Sequence, residues 1–247
     1  MDDRSTKVIA LLDVLGFESL LRERGLERML ADYKKLIAIV EGMDGCMCLA
    51  PIPNGDGTAS VGAGYLALDK TFFSDTFLIW SDYDAFKLPA FCQMCSDFFC
   101  QSMELGLPIR GGIAVGTAHM DSKTGIFMGL PLVEAARAET AQDWLGISFG
   151  ASFACEPYNR FTDVRTVLPC KFHHKREPKY DGLLPGIVLD WPRHWRQSRK
   201  TDVRPVVRAM NLSPSVSRYY ENALRFVEFS EGKHDWHLTS DHVDYGS

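Results

Sequence analysis

Two carboxylates stand where carboxylates are expensive. Asp13 closes the apolar run Val8 to Leu12 and is followed at once by Val14, Leu15, Gly16 and Phe17. Asp75 interrupts a second apolar run, Phe72 to Trp80. A charge taken out of water costs free energy unless it is compensated, and a pair of divalent cations would compensate both acids. Two ions so held clamp the attacking and leaving oxygens of an in-line displacement at phosphorus. The glycine turn at Gly16-Phe17 precedes a helix, and backbone N–H groups at a helix start take phosphate. Arg137 lies among small residues, Ala135, Ala136 and Ala138, and a guanidinium gives always-charged, two-pronged contact to a phosphoryl group. Singly, each has a plainer role: an Asp after a strand caps a turn, and an Arg on a helix faces water. Their order along the chain gives them joint meaning.

The elements that must position these groups follow from periodicity. Residues 7–13 read as a buried strand. Residues 18–43 read as one helix, with Met29, Leu30, Tyr33, Leu36, Ile37 and Val40 on one face. Residues 44–63 are rich in Gly and Pro and read as a loop. Residues 65–73 and 76–81 read as two strands joined at Ser74-Asp75. Residues 84–105 return to helical spacing, residues 109–118 read as a strand, and Asp121 to Gly125 as a hairpin turn. A helix then starts near Pro131 and ends before Gly146. The order β-α-β-β-α-β is the split βαβ, ferredoxin-like pattern with an added hairpin and helix, an α+β fold. In such a sheet the first and third strands are central, which brings Asp13 and Asp75 together. Farther on, strands are expected near 164–172 and 184–190. The stretch 191–201 reads as a surface loop anchored by Trp, and a last helix begins at Ser213-Pro214. The boundaries expected are a core over 1–155 and a C-terminal extension over 156–247 packed on the same domain.

Composition narrows the class. The 247 residues are 46% hydrophobic, with a net charge of -5 and no dominant basic stretch, so nucleic-acid binding is not suggested. No apolar run approaches the length of a membrane span, and the charged N-terminus runs straight into a strand without a leader, which points to the cytoplasm. Seven Cys, with Cys92-Gln-Met-Cys95 on an apolar helical face and no second matching pair, read as reduced thiols rather than a zinc site. His234, His237 and His242 sit in a polar tail that reads as a partly ordered terminus.

Four ordered motifs carry a resemblance. Asp13-Val14-Leu15-Gly16-Phe17, then Phe73-Ser74-Asp75, then Arg110 to Gly116, then Gly129 to Arg137 resemble the class III nucleotidyl cyclases over roughly residues 7–150. Their pattern is D-x-x-G-F, G-D, R-x-G-I-x-x-G and G-x-x-V-N-x-A-A-R. The resemblance implies homodimers with active sites at the interface. It implies that Asp13, Asp75 and the carbonyl of Val14 hold two Mn²⁺ or Mg²⁺ ions. Arg137 would reach the transition state from the other subunit, and Gly16, Phe17, Thr71 and Ser74 would line the nucleotide.

The departures are informative. Ser74 replaces the glycine before the second acid, and Val133 the ribose-positioning asparagine. Thr71 and Ile126 stand where the two purine-reading side chains would be. With Glu139 on the last helix, this pattern is most similar to the bacterial Pycsar pyrimidine cyclases. That similarity implies conversion of UTP, or alternatively CTP, to a 3′,5′-cyclic nucleotide as an anti-phage messenger, read by a separate effector protein. Arg110 reads as structural; Tyr33 and Phe72 are further candidates for the base pocket. A catalytically silent nucleotide-binding protein, another two-metal phosphoryl-transfer enzyme and a plain interaction domain are the competing readings.

Overall fold

The computed structural model describes residues 5–53, 59–154, 169–173, 184, 186–210, 216–232 and 243–244. Strand β1 (Ser5–Val14) leads through a two-residue turn into α1 (Phe17–Arg24) and α2 (Leu26–Met43). A hairpin of β2 (Met47–Pro53) and β3 (Ala59–Tyr65) follows. Then come β4 (Asp69–Phe73), β5 (Thr76–Asp82), α3 (Leu88–Glu104), β6 (Ile109–Asp121), β7 (Ile126–Gly129), α4 (Leu130–Thr140) and β8 (Gly146–Phe149). A 3-10 turn spans Ala151–Ala154. Beyond it are β9 (Pro169–His173), β10 (Ile187–Leu189), α5 (Trp191–Arg199), α6 (Arg204–Met210), α7 (Ser217–Gly232) and β11 (Val243–Asp244).

The main sheet runs β11-β9-β10-β8-β6-β1-β5-β4. Its segment β6-β1-β5-β4 places the fourth, first, third and second strands of the core side by side, all antiparallel. That is the expected ferredoxin-like order, with β1 and β5 central. β8 adds in parallel to β6 and carries the sheet into the C-terminal region.

The alternation of β1 divides the sheet into two faces. Val8, Ala10, Leu12 and Val14 belong to the large core, with Leu36 and Val40 of α2, Phe91, Cys95 and Phe98 of α3, and Ala223 and Phe226 of α7. Ile9 and Leu11 face the other way, against Trp80, Leu78, Phe127 and Leu132. Asp13 shares this second face by the same alternation. α4 lies across it on β6 and β1, and it can do so because Gly112 has no side chain. A Cβ there would stand 2.0 Å from the carbonyl oxygen of Ala135.

Several expectations are corrected. The helix over 18–43 is two helices, because Gly25 at φ 78° ends α1, its N–H returning to the carbonyl of Leu21 at 3.0 Å. On α2, Leu30 is exposed and Asp32 is buried instead, facing Arg24, Arg28 and Lys35. The Gly- and Pro-rich stretch is not a loop but the β2–β3 hairpin, registered from Met47↔Tyr65 to Pro53↔Ala59. A two-stranded sheet consists of edges, and edges tolerate proline. Tyr65 closes this hairpin and does not open the next strand. The stretch 191–201 holds helix α5: the Asp190 carboxylate caps it by accepting from the N–H of Arg193 at 3.1 Å, and Trp191 and Trp195 are buried one turn apart. α6 was not anticipated at all. Cys46, Cys48, Cys92, Cys95 and Cys100 are free thiols, and burial pushes those of Cys92, Cys95 and Cys100 upward in pKa. Residues 164–168, Ser213-Pro214 and the tail histidines lie outside the described residues. Among the described residues no helix is long and apolar enough to cross a membrane.

Candidate active site

Asp13 and Asp75 meet at one end of the two central strands. Asp13 stands opposite Thr76 on β5 and opposite Arg110 on β6. Thr76 Oγ1 donates to Asp13 Oδ1 at 3.3 Å. The N–H of Val14, whose side chain is buried, donates to the carbonyl of Asp75 at 3.0 Å, and the N–H of Leu15 donates to the carbonyl of Pro108 at 2.8 Å. The residues after Asp13 are thereby pinned from both neighbours: from the β4–β5 turn on one side and from the start of β6 on the other.

Gly16 then takes φ 69° and ψ 26°, a left-handed conformation that glycine adopts without steric penalty. Its carbonyl accepts from the N–H of Leu20, and no side chain caps α1. The free N–H groups at that helix start are available to an anion. Ser74, the first residue of the β4–β5 turn, is also left-handed at φ 55° without being glycine. That strain sits where the cyclase pattern has glycine.

The surroundings of Asp13 oppose its ionisation. The pKa of Asp13 is pushed up to about 6, first by burial, then by the charges of Glu139 and Asp75. Arg110 and the hydroxyl of Thr76 oppose the shift without cancelling it. Glu139, on α4, is buried and ion-paired with Arg110. Arg110 also donates Nη1 to the carbonyl of Gln142 at 3.1 Å and lies 5.7 Å from the ring centre of Tyr219 on α7. Gln142 is buried and uses its amide fully: it donates to the carbonyls of Gly111 and Ala138 and accepts from Trp144 and Ser148. The acidic end of the site is therefore braced by a connected polar network, the arrangement in which buried polar groups cost least.

Other expected residues are distributed unevenly. Thr71 pairs with Leu78 and shares the face of Asp13. Phe72 does not: it turns to the large core, edge-on to Phe77 at 5.2 Å. Tyr33 packs between Phe17 and Phe77, with centroids at 6.0 and 4.7 Å, and its buried hydroxyl has no partner. Its pKa is raised by burial, then by Asp75 and Asp13. Arg137 is exposed on α4 and makes no ion pair among the described residues. It makes no hydrogen bond or ion pair with Asp13 or Asp75 among the described residues. Val133 and Ile126 are also exposed.

Two participants escaped the sequence. Phe73 pairs with Thr76, which pairs with Asp13, so all three share one face; Phe73 is 82% exposed. An aromatic residue this bare beside a carboxylate site offers a stacking surface. The signal was present in Phe72-Phe73, but only the register says which ring faces outward. The buried Arg110–Glu139 pair was invisible because its members lie 29 positions apart.

The donor set of Asp13, Asp75 and the main chain at Val14 fits divalent cations. The charge of Asp75 adds to the cost of ionising Asp13, and Arg110, already paired with Glu139, offsets it only in part. Among the described residues there is no grouping of three or more His, Cys, Asp or Glu suited to a metal ion. Remaining ligands would come from water or substrate phosphate, the usual habit of Mg²⁺.

Two solved structures resemble the chain. One is the catalytic core of a rhodopsin-guanylyl cyclase with converted specificity, in complex with ATPαS: 12% identity, TM-score 0.44, covering 75% of this chain and 93% of that one. The other is a class III adenylyl cyclase-like ATP-binding protein from Pseudomonas aeruginosa: 13% identity, TM-score 0.40, covering 93% of this chain and 43% of that one. No family model matches the sequence, and no curated protein matches it.

Proposed function

We propose that this protein is a nucleotidyl cyclase that converts UTP to 3′,5′-cyclic UMP and pyrophosphate, with CTP as the alternative substrate. The observation that carries the reading is the convergence of Asp13 and Asp75 beside the Gly16 turn, with the pKa of Asp13 pushed up first by burial and then by the charges of Glu139 and Asp75. Asp13 and Asp75, with the carbonyl of Val14, would hold two Mn²⁺ or Mg²⁺ ions. When bound, such ions neutralise phosphate charge and acidify the attacking hydroxyl.

The chain's own groups do the rest. Thr76 orients the Asp13 carboxylate by its hydrogen bond. The turn at Gly16 and Phe17 offers backbone N–H groups to the β- and γ-phosphates. The ribose 3′-oxygen bonds to the α-phosphorus as the bond to the pyrophosphate oxygen breaks. The hydroxyl proton leaves to water or phosphate, and no side chain is assigned as its base. Arg137, exposed and unpaired on α4, would meet the α-phosphoryl charge of a site completed by a second copy of the chain. Ile126, Met128, Leu130 and Val133 are exposed on the same β7–α4 unit, and such a surface suits a homodimer.

Thr71 and Ser74 flank the nucleotide, and Phe73 offers its ring to the base. With Thr71 and Ile126 in place of polar purine readers, a pyrimidine is the preferred base. The cyclic product would serve as an anti-phage messenger in the cytoplasm, read by a separate effector. The described part of residues 156–247 packs on the cyclase core through α5, α6 and α7 and completes the domain.

Mixed-dimer complementation tests the shared site. Arg137→Ala and Asp75→Ala chains, each inactive alone, should regain up to about a quarter of activity when co-assembled. That fraction follows if random pairing makes half the dimers mixed and one of their two sites is intact. No recovery in verified mixed dimers refutes the shared site.

A further inference from the structure

A cavity of about 680 Å³ adjoins the Gly16 turn. Its near wall is Leu15, Gly16 and Leu20, with Pro108, which precedes β6 and whose carbonyl accepts from the N–H of Leu15. Its far wall is the C-terminal region: α6 through Met210, and α7 through Tyr219 and Tyr220. Neither Asp13 nor Asp75 lines it. The volume is that of a small-molecule site, and the wall is mostly apolar, as such sites are.

Its charged groups are not equally free. Arg24 is fully used: Nη1 and Nη2 donate to the carbonyls of Leu105 and Gly106, each at 2.7 Å, and the buried Asp32 lies 3.7 Å away. Glu104 is paired with Arg199 at 3.3 Å. Glu23, exposed at the mouth, has no ion pair among the described residues. One uncommitted carboxylate, two tyrosine rings and an aliphatic wall form a chemistry that selects an apolar body carrying one positive charge. Aromatic faces attract a cation, and Glu23 adds a Coulombic partner, while Arg24, the arginine that lines the same cavity, is held by the carbonyls of Leu105 and Gly106.

We infer that this cavity is a second ligand site, adjoining the nucleotide site at Gly16, for a small aromatic or aliphatic ammonium compound. The ligand would rest on Leu15 and Gly16, the residues that shape the phosphate turn. It would also touch Tyr219, whose ring lies under Arg110. The C-terminal helices thereby gain a role beyond packing, because they supply half the wall.

The test is calorimetric titration of the intact protein, without nucleotide or metal, with three indoles of one shape and different charge: tryptamine, 3-ethylindole and indole-3-propionate. Tryptamine should saturate one site per chain and bind about two- to fivefold more tightly than 3-ethylindole, the range of an exposed ion pair. Indole-3-propionate should bind weakest. Glu23→Gln should erase the charge preference while keeping the site, and Ala209→Trp, at an exposed mouth position on α6, should abolish binding of all three. Thermal unfolding of each variant confirms that it folds. Overturning results are non-saturable binding, tightest binding of the anion, or undiminished tryptamine binding in folded Ala209→Trp. Since no nucleotide is present, failure here leaves the cyclase reading untouched, and failure of that reading leaves this site untouched.

Discussion

The N–H of Val14 donates to the carbonyl of Asp75 at 3.0 Å, so the end of β1 and the turn between β4 and β5 are joined by main chain. That bond places a carboxylate on each side of itself. It also links the two acids to the Gly16 turn, since Leu15 and Gly16 follow directly.

The first prediction concerns pH. The folded pKa of Asp13 is raised from 3.8 to about 6, mostly by burial. A raised pKa means that the folded state holds this proton more tightly than the unfolded state. The resulting stability is fully present below pH 3.8 and lost as pH rises through about 6. At pH 7.5 the charged Asp13 is a net cost on the order of 2 kcal/mol. Asp13→Asn should therefore raise the unfolding midpoint of the metal-free protein at pH 7.5 by a few degrees, with little gain at pH 4. Mn²⁺ should stabilise the unmutated protein at pH 7.5 and fail to stabilise Asp13→Asn. Paired thermal melts at the two pH values decide it.

Gly112→Ala should be severe. The new Cβ would fall 2.0 Å from the Ala135 carbonyl, and α4 must retreat. Overpacking of this kind costs about 1–3 kcal/mol. Because α4 carries Glu139 and Arg137, activity should fall further than stability alone explains. Urea titration beside product formation separates the two losses.

Gln142→Ala should cost about 2–4 kcal/mol, since it strands the Trp144 N–H, the Ser148 hydroxyl and two carbonyls in a buried place. Gln142→Glu should not rescue it, because a carboxylate cannot donate to Gly111 and Ala138. Chemical denaturation of both variants measures this.

Phe73→Ala should leave stability nearly unchanged, because the ring is 82% exposed. Loss of base stacking, worth about 1–3 kcal/mol per base, should raise KM for the nucleotide about fivefold or more. Unchanged KM in that variant removes Phe73 from the base site.

Much of this was legible in the residues. The alternation of β1 and the apolar runs of β5 and β6 specify strands, and the split βαβ order alone brings Asp13 to Asp75. What escaped depends on contacts between distant parts of the chain. The break at Gly25 needs a φ value that an otherwise continuous helical pattern hides. The prolines of β2, Pro51 and Pro53, argue against strand unless that hairpin is known to have only edges. Trp191 and Trp195 look like anchors of a loop until Asp190 is seen to cap a helix. Arg110 reads as structural by itself, and only the fold sets it between Asp13, Glu139 and Tyr219.

The most direct measurement is product identification. The protein is incubated with Mn²⁺ and each of the four ribonucleoside triphosphates in turn, and products are resolved by mass spectrometry, with Asp75→Ala in parallel. The proposed function predicts 3′,5′-cyclic UMP and pyrophosphate from UTP, and a loss of at least about a hundredfold in Asp75→Ala. No cyclic product from any triphosphate, or undiminished product from Asp75→Ala, would contradict it.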